Sequence, residues 1–302
     1  MIGSSTCSSQ GDGLPPRLII AIAVFAGSVA VALVLVLVVD HAGNRSTPSY
    51  YVSIGDSYAA GYQPHLGLTR GFTGLVADRE HLQLVNFACT GATSGSVFVT
   101  NGCGTPAMGA PKYRSESQAQ AAESFLRNNR RAIHLITVIV GGGDVTTCAT
   151  ATDPVSCVLN AVPQVVDNVR RLASALRADS GPKIPILGLT YPDVALGAWV
   201  YPPQDTNRSL ATLSVSAFQS LINPQLRAAY ASAGAAFVDV TQATGAYGSM
   251  SEFVSSQFGQ IPYPVARVCD LTWMCSRGDI HPTARGYELI SNQITSYLSK
   301  KR

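Results

Sequence analysis

The sequence predicts an α/β domain with a parallel, doubly wound sheet, preceded by one transmembrane helix. From residue 50 onward, short runs rich in Val, Ile and Leu alternate with helix-like runs, which is typical of parallel strands covered by helices on both faces. Before them, residues 18–39 form an apolar run without a charge. The 302-residue chain therefore divides into a tail (1–17), an anchor (18–39), a linker (40–49) and one folded domain (50–302).

The apolar run has the length of a membrane span. Its 22 residues would extend about 33 Å as a helix, close to the thickness of a bilayer's hydrocarbon core. Cleaved signal peptides usually carry an apolar core of about 7–15 residues, and no small-x-small cleavage site precedes Asp40. We expect an uncleaved anchor; a cleaved signal, which would leave the protein secreted, is the alternative. Arg17 favours a disordered cytoplasmic tail and an extracytoplasmic domain on a single-pass protein.

Charge and cysteine content narrow the classes of partner. The net charge of +3 and the scattered basic residues exclude a nucleic-acid surface. One cysteine precedes the apolar run and six follow it, as expected for a reducing interior and an oxidising exterior. Six cysteines allow 15 pairings, of which the sequential one is favoured because each close pair falls within one loop. No C-x-x-C spacing or nearby histidine completes a ligand set, so no metal is expected.

Five strands and five helices are predicted after the linker, with no internal repeat. The strands are expected at 50–54, 82–87, 134–140, 184–189 and 235–240, and the helices at 73–81, 117–130, 156–177, 211–233 and 283–298. In open α/β sheets, ligands bind beyond the carboxyl ends of the strands. Residues that directly follow those strand ends are therefore the candidate catalytic and binding residues.

Ser57 leaves the first strand in Gly55-Asp56-Ser57-Tyr58. A tight strand-to-helix turn there would expose its hydroxyl, with helix N-terminal amides pointing toward it. Asp56 and Ser57 as simple helix caps are an equal explanation. The turns after the second and third strands contain Gly91 and Gly143, whose backbone N–H groups would reach the same edge.

A serine nucleophile needs a base, and the chain has five histidines. His41 adjoins the apolar run, His81 ends a helix, and His134 begins a strand at the wrong edge of the sheet. His65, in the loop after Ser57, is not excluded by position. His281 precedes the last helix, where Pro282 suits the first turn, and elimination favours it as the base.

Three sequence blocks resemble the SGNH (GDSL) hydrolase family over about residues 50–300. They are Gly55-Asp56-Ser57-Tyr58, the run at 86–93 that contains Gly91, and the segment with His281-Pro282 and Gly286-Tyr287. The cysteine pairs look like those of exported actinobacterial members. The resemblance implies a flavodoxin-like three-layer α/β/α sandwich, hydrolysis of carboxyl esters through an acyl-enzyme, and no cofactor. It implies Ser57 as nucleophile, His281 as base, and the Ser57 and Gly91 amides as oxyanion donors. It also implies sequential disulfides, Cys89–Cys103, Cys148–Cys157 and Cys269–Cys275.

Two positions depart from the family pattern. Gly143 stands where the family has an asparagine that donates to the oxyanion, and loss of one such donor typically costs about 10²–10³ in rate. Gly278 stands where the family has its acid, three residues before the histidine, while Asp279 lies two before. A main-chain carbonyl at Gly278 is slightly favoured over the Asp279 carboxylate for orienting the ring.

The predicted function is an esterase or lipase-like hydrolase on the outer face of a membrane, with a monomeric catalytic domain and a small-molecule or lipid ester as substrate. Tyr58, Tyr191 and Trp199 are candidate pocket residues. The rival hypothesis is a catalytically impaired module of the same fold that binds a lipid or glycan, and Gly143 and the missing acid favour it.

Overall fold

The computed structural model describes residues 48–112 and 115–301. The predicted tail, anchor and most of the linker lie outside these residues. Within the described part of the chain, no helix has the length and apolar character that a bilayer crossing requires.

The central sheet confirms the five predicted strands. They are β1 (Tyr50–Gly55), β2 (Gln83–Asn86), β3 (Ile133–Ile139), β4 (Ile186–Leu189) and β5 (Ala236–Val238). All pairs are parallel and the order is β2-β1-β3-β4-β5, the flavodoxin-like arrangement. The order reverses at β1, so the carboxyl end of β1 lies at the crevice where such folds place their ligands.

Helices cover both faces of the sheet and give the expected three layers. One face packs against α3 (Gln118–Asn129), α5 (Pro154–Ser180) and α7 (Asn223–Ser232), and the other against α2 (Gly71–Glu80) and α11 (Ala284–Ser299). The remaining helices are short or peripheral: α1 (Ser57–Ala60), α4 (Gly142–Thr146), α6 (Arg208–Ala217), α8 (Val240–Ala243), α9 (Tyr263–Leu271) and α10 (Met274–Arg277).

Side-chain caps explain where the long helices begin. Ser117 and Gln120 form a reciprocal capping box at α3. Asp153 accepts the Ser156 N–H at α5, where Pro154 occupies the first turn, and Thr283 accepts the Gly286 N–H at α11. The ends of these elements are thus determined locally, which is why their positions were predicted within a few residues.

The helix predicted at 211–233 is not one regular α-helix. A π-helical turn, Phe218–Ile222, separates α6 from α7. Pro224 explains the change, because it lacks an N–H and its ring would clash with the carbonyl four residues earlier in an α-helix. Such turns often occur at functional sites.

The C-terminal half contains elements that the sequence did not reveal. A hairpin of β6 (Phe253–Ser256) and β7 (Gly259–Pro262) leads into α9, and together they enclose a separate small cluster around Leu196, Ile261 and Val265. The predicted sequential disulfide pairing is confirmed: Cys89–Cys103, Cys148–Cys157 and Cys269–Cys275. Because these six cysteines are paired in disulfides, none of the six has a thiolate to offer a metal.

Asp193, which follows β4, is a buried carboxyl that pairs with no cation among the described residues. The Ser214 hydroxyl donates to its Oδ2 at 2.7 Å, and Oδ1 has no hydrogen-bond partner among the described residues. Burial raises the pKa of Asp193 to about 7, against the smaller opposing effect of the Ser214 hydrogen bond. Between about pH 4 and pH 7, the native state therefore holds a proton that the unfolded chain releases, because an ordinary aspartate carboxyl has a pKa of about 3.9.

This difference predicts a stability that falls with rising pH. The contribution of the protonated Asp193 is fully present below about pH 4 and is lost as the pH rises through about 7, because in that window the native state binds more protons than the unfolded state. Asp193→Asn removes this dependence. Between pH 4 and pH 8 the free energy of unfolding should fall by up to roughly 4 kcal/mol more in the natural chain than in the variant. Denaturant titrations of both chains at the two pH values measure the difference; parallel losses would contradict it.

Candidate active site

The backbone at the carboxyl end of β1 lies unusually close to the backbone at the carboxyl end of β3. Gly55 adopts a φ of +153°, and a Cβ there would lie 2.0 Å from the carbonyl oxygen of Ile139. The N–H of Asp56 donates to that same oxygen at 3.1 Å. Only glycine permits this approach, which turns the chain and starts α1 at Ser57 on the carboxyl edge of the sheet.

Asp56, and not Ser57, caps this short helix. Its carboxylate accepts the N–H of Tyr58 at 3.0 Å and the hydroxyl of Tyr191 at 2.5 Å. Burial raises the pKa of Asp56 to about 7, and the hydrogen bond from Tyr191 limits the rise. With the cap supplied by Asp56, the hydroxyl of Ser57 remains available to His281.

Three side chains form a continuous relay of hydrogen bonds. Ser57 Oγ lies 2.8 Å from His281 Nε2, and His281 Nδ1 lies 2.8 Å from Asp279 Oδ1. A neutral imidazole with its proton on Nδ1 donates to the carboxylate and leaves Nε2 to accept from the serine hydroxyl. The Ser57 and His281 side chains are mostly buried and Asp279 is partly buried, so water competes only weakly for these bonds. The arrangement can remove a proton from Ser57 and return it later.

The expectation that a Gly278 carbonyl orients the histidine is wrong. Gly278 ends α10 with a φ of +67°, and the chain then folds back so that Asp279 Oδ1 accepts the His281 backbone N–H at 2.9 Å as well as facing its ring. This two-residue spacing is that of an Asx turn, in which a carboxylate bonds the backbone two positions on. The turn lets an acid two residues before the histidine reach Nδ1.

Two tyrosines that the motif reading did not place around the base fix its position. Tyr58 donates its hydroxyl to the carbonyl of Ile280 at 2.5 Å, and the ring of Tyr62 meets His281 edge-on with centroids 4.6 Å apart. His65, which position alone did not exclude as a base, contacts Arg277 on the surface instead. The signal for Tyr62 was weak, since nothing in its local sequence distinguishes it from other loop tyrosines.

The Gly91 turn lies beside Ser57, and hydrogen bonds to Asp144 hold its loop in place. Gly91 has a φ of +81°, and Ser94 in the same loop donates its N–H and hydroxyl to Asp144 at 2.7 and 2.8 Å. No acceptor among the described residues takes the backbone N–H of Ser57 or of Gly91. Both amides therefore keep a donor free at the cavity that these residues line.

Gly143 is glycine because the Gly91 loop leaves it no room. A Cβ at Gly143 would lie 2.9 Å from the carbonyl oxygen of Ala92, so an asparagine there would have to displace this loop. The position of the family's asparagine is thus closed to a side chain in this protein.

The hydroxyl of Thr90, next to Gly91, is buried and has no hydrogen-bond partner among the described residues.

A cavity of about 280 Å³ opens beside these residues. Ser57, His281, Tyr58 and Tyr191 line it, as expected of a substrate pocket. Trp199 does not line it, so that prediction is wrong: its ring packs 6.4 Å from Phe253 and under Arg208, in the separate cluster near the hairpin.

Comparison with known proteins gives a family match. The model of the GDSL-like lipase/acylhydrolase family matches residues 53–289, more than three quarters of the chain. The chain belongs to this family. This GDSL-family protein is accordingly a carboxylic ester hydrolase. No curated protein is similar enough in sequence to match it.

The fold is shared with a solved structure. Phospholipase A1 from Streptomyces albidoflavus is 18% identical, with a TM-score of 0.50 over 82% of this chain and 99% of that one. A lipolytic protein of the G-D-S-L family from Veillonella parvula is 13% identical, with a TM-score of 0.43 over 82% of this chain and 97% of that one.

Proposed function

We propose that this GDSL-family hydrolase cleaves esters through an acyl-enzyme on Ser57. His281 Nε2 takes the hydroxyl proton as Oγ bonds to the ester carbonyl carbon, and the proton then passes to the alcohol oxygen as the carbon–oxygen bond breaks. Water then releases the acid: His281 removes a proton from water as its oxygen bonds to the acyl carbon, the bond from that carbon to Ser57 Oγ breaks, and the proton returns to Oγ. Asp279 holds the imidazole in the required tautomer throughout.

The free amides of Ser57 and Gly91 are proposed to hold the oxyanion that forms at each step. Both lie at the cavity and have no other acceptor among the described residues. Two preorganised donors stabilise the developing charge without reorganisation. Since Gly143 supplies no side-chain donor, we expect a lower rate than in relatives that retain the asparagine.

The extracytoplasmic location is part of the same proposal. It is supported by the apolar run at 18–39 and by disulfides in all six cysteines that follow it. Disulfides persist in oxidising compartments and are rare in the cytosol.

The relay Ser57–His281–Asp279 is the observation that carries the proposal, with both hydrogen bonds at 2.8 Å. The rival hypothesis, a binding module that lost catalysis, had two supports in the sequence. One of them, the missing acid, is removed by the contact of Asp279 with the ring. Gly143 remains, but it affects one oxyanion donor and leaves the relay intact.

Covalent labelling tests the proposal directly. A fluorophosphonate should react with the folded full-length chain at Ser57, because the relay makes that hydroxyl nucleophilic, and mass spectrometry of the labelled peptide should identify the residue. Turnover of p-nitrophenyl esters should accompany labelling. Folded protein that is neither labelled by the fluorophosphonate nor active on these esters would contradict the proposed mechanism and favour the binding module.

A further inference from the structure

We propose that the cavity beside Ser57 holds the acyl chain of the ester, so that the substrates are esters of fatty acids and not acetyl esters of sugars. This inference rests on the proposed function of Ser57 as nucleophile. It goes further by naming the substrate class and the side chains that select it.

The cavity runs from the relay into the helical layer on one face of the sheet. Ser57, Gly91 and His281 belong to its lining. Much of the remaining lining consists of aliphatic and aromatic side chains of α5, the π-helical turn and α7: Val162, Val165, Val166, Phe218, Ile222 and Leu226. A group attached to Ser57 and extending inward would contact hydrocarbon over most of its length.

Two polar side chains of the lining are already bonded to protein, whereas the Thr90 hydroxyl, which also lines the cavity, has no partner among the described residues. The hydroxyl of Thr190 donates to Asn223 at 2.9 Å, and that of Tyr191 donates to Asp56. A sugar in this space would bury hydroxyl groups without partners, which is unfavourable. An alkyl chain loses nothing there, and burial of each methylene strengthens binding about fourfold.

The acyl group, and not the alcohol, suits this apolar cavity. In the proposed mechanism the acyl group stays bonded to Ser57 while the alcohol departs and water replaces it. The alcohol therefore requires the open side of the site, where His281 and Asp279 retain partial exposure. The buried cavity can keep the acyl chain in place through both steps.

The π-helical turn provides a wall residue suited to substitution. Ile222 lines the cavity and is only partly buried, so a larger side chain there can project into the cavity without compressing the sheet. Leu213 lies on α6 and is 56% exposed, outside the cavity lining. Ile222→Trp and Leu213→Trp therefore form a matched pair, with indole bulk inside or outside the cavity.

The decisive experiment measures kcat/KM of the full chain for p-nitrophenyl esters from acetyl to decanoyl. In the natural chain it should rise by at least about 100-fold along this acyl series, the gain expected from a few buried methylenes. A second series, of acetates with alcohols from ethyl to decyl, should show less than about a tenfold rise. Ile222→Trp should lower the decanoyl value at least about tenfold relative to acetyl, whereas Leu213→Trp should leave that ratio unchanged.

The outcomes separate this inference from the proposed function. A natural chain that is labelled by fluorophosphonate but prefers acetyl esters, or responds to alcohol length more than to acyl length, overturns the inference and leaves the nucleophile intact. Absence of both labelling and turnover overturns the proposed function itself. Should Ile222→Trp fail to fold, the two ester series on the natural chain still decide the matter.

Discussion

Replacement of Ser57 by alanine is expected to lower kcat for p-nitrophenyl esters by roughly 10⁴- to 10⁶-fold. The variant lacks the oxygen that bonds to the carbonyl carbon, and His281 then has nothing to deprotonate except water. The loss should appear in kcat because the cavity that binds the substrate is unchanged. Steady-state kinetics with a burst-phase measurement checks both the size of the loss and the disappearance of the acyl-enzyme.

Ser276→Ala is the matched control for this substitution. Ser276 lies on α10, close in sequence to the base, but its side chain is exposed and outside the cavity lining. Its removal should leave kcat within about twofold of the natural chain. Full turnover in Ser57→Ala would show that another group is the nucleophile, even if the protein remains an esterase.

Asp279→Asn is expected to lower kcat by roughly 10⁴-fold, the loss that follows when a catalytic histidine is held in the wrong tautomer. An asparagine amide can donate to Nδ1, which places the ring proton on Nε2 and blocks that atom from accepting the hydroxyl proton of Ser57. Single-turnover measurements of acylation should show the defect directly, while fluorophosphonate labelling should slow in parallel.

Asp205→Asn, on the exposed loop after the fourth strand, serves as the control and should have no effect. Asp279→Asn also decides whether the Asp279 carboxylate or the Gly278 carbonyl orients His281. If the carbonyl of Gly278 held the ring, Asp279→Asn would retain most of the activity. Retention of more than about a tenth of kcat would therefore contradict the contact at 2.8 Å as the orienting one.

The fold could be predicted from the sequence because its signals are local. A run of Val, Ile and Leu marks a buried strand, and a Ser, Asp or Thr cap marks the start of a helix wherever the chain later packs. The hairpin at 253–262 escaped because its residues, such as Ser255 and Gln260, are polar and exposed, and only pairing across the turn makes them strands. Pro224 was visible, but its effect depended on the helix continuing through it.

The site could be predicted only in part, for a different reason. Ser57 was found because it follows a predicted strand, and His281 because it precedes a predicted helix and few histidines compete. Asp279 was ranked below a backbone carbonyl because its reach depends on the turn that Gly278 starts, and spacing along the chain does not show how a turn folds. Trp199 was misplaced because the aromatic content of its segment indicates burial, but not whether the ring lies at the cavity or in the cluster near the hairpin.

The relay joins residues that stand 224 positions apart, one just after the first strand and the other just before the last helix. A chain that lacks residue 281 has the serine of the proposed relay without its base, so we expect it to be inactive. While the polypeptide is being synthesised, Ser57 has no base beside it, and we expect ester hydrolysis only after the segment that carries His281 has docked. The order of synthesis therefore delays ester hydrolysis until the domain has folded.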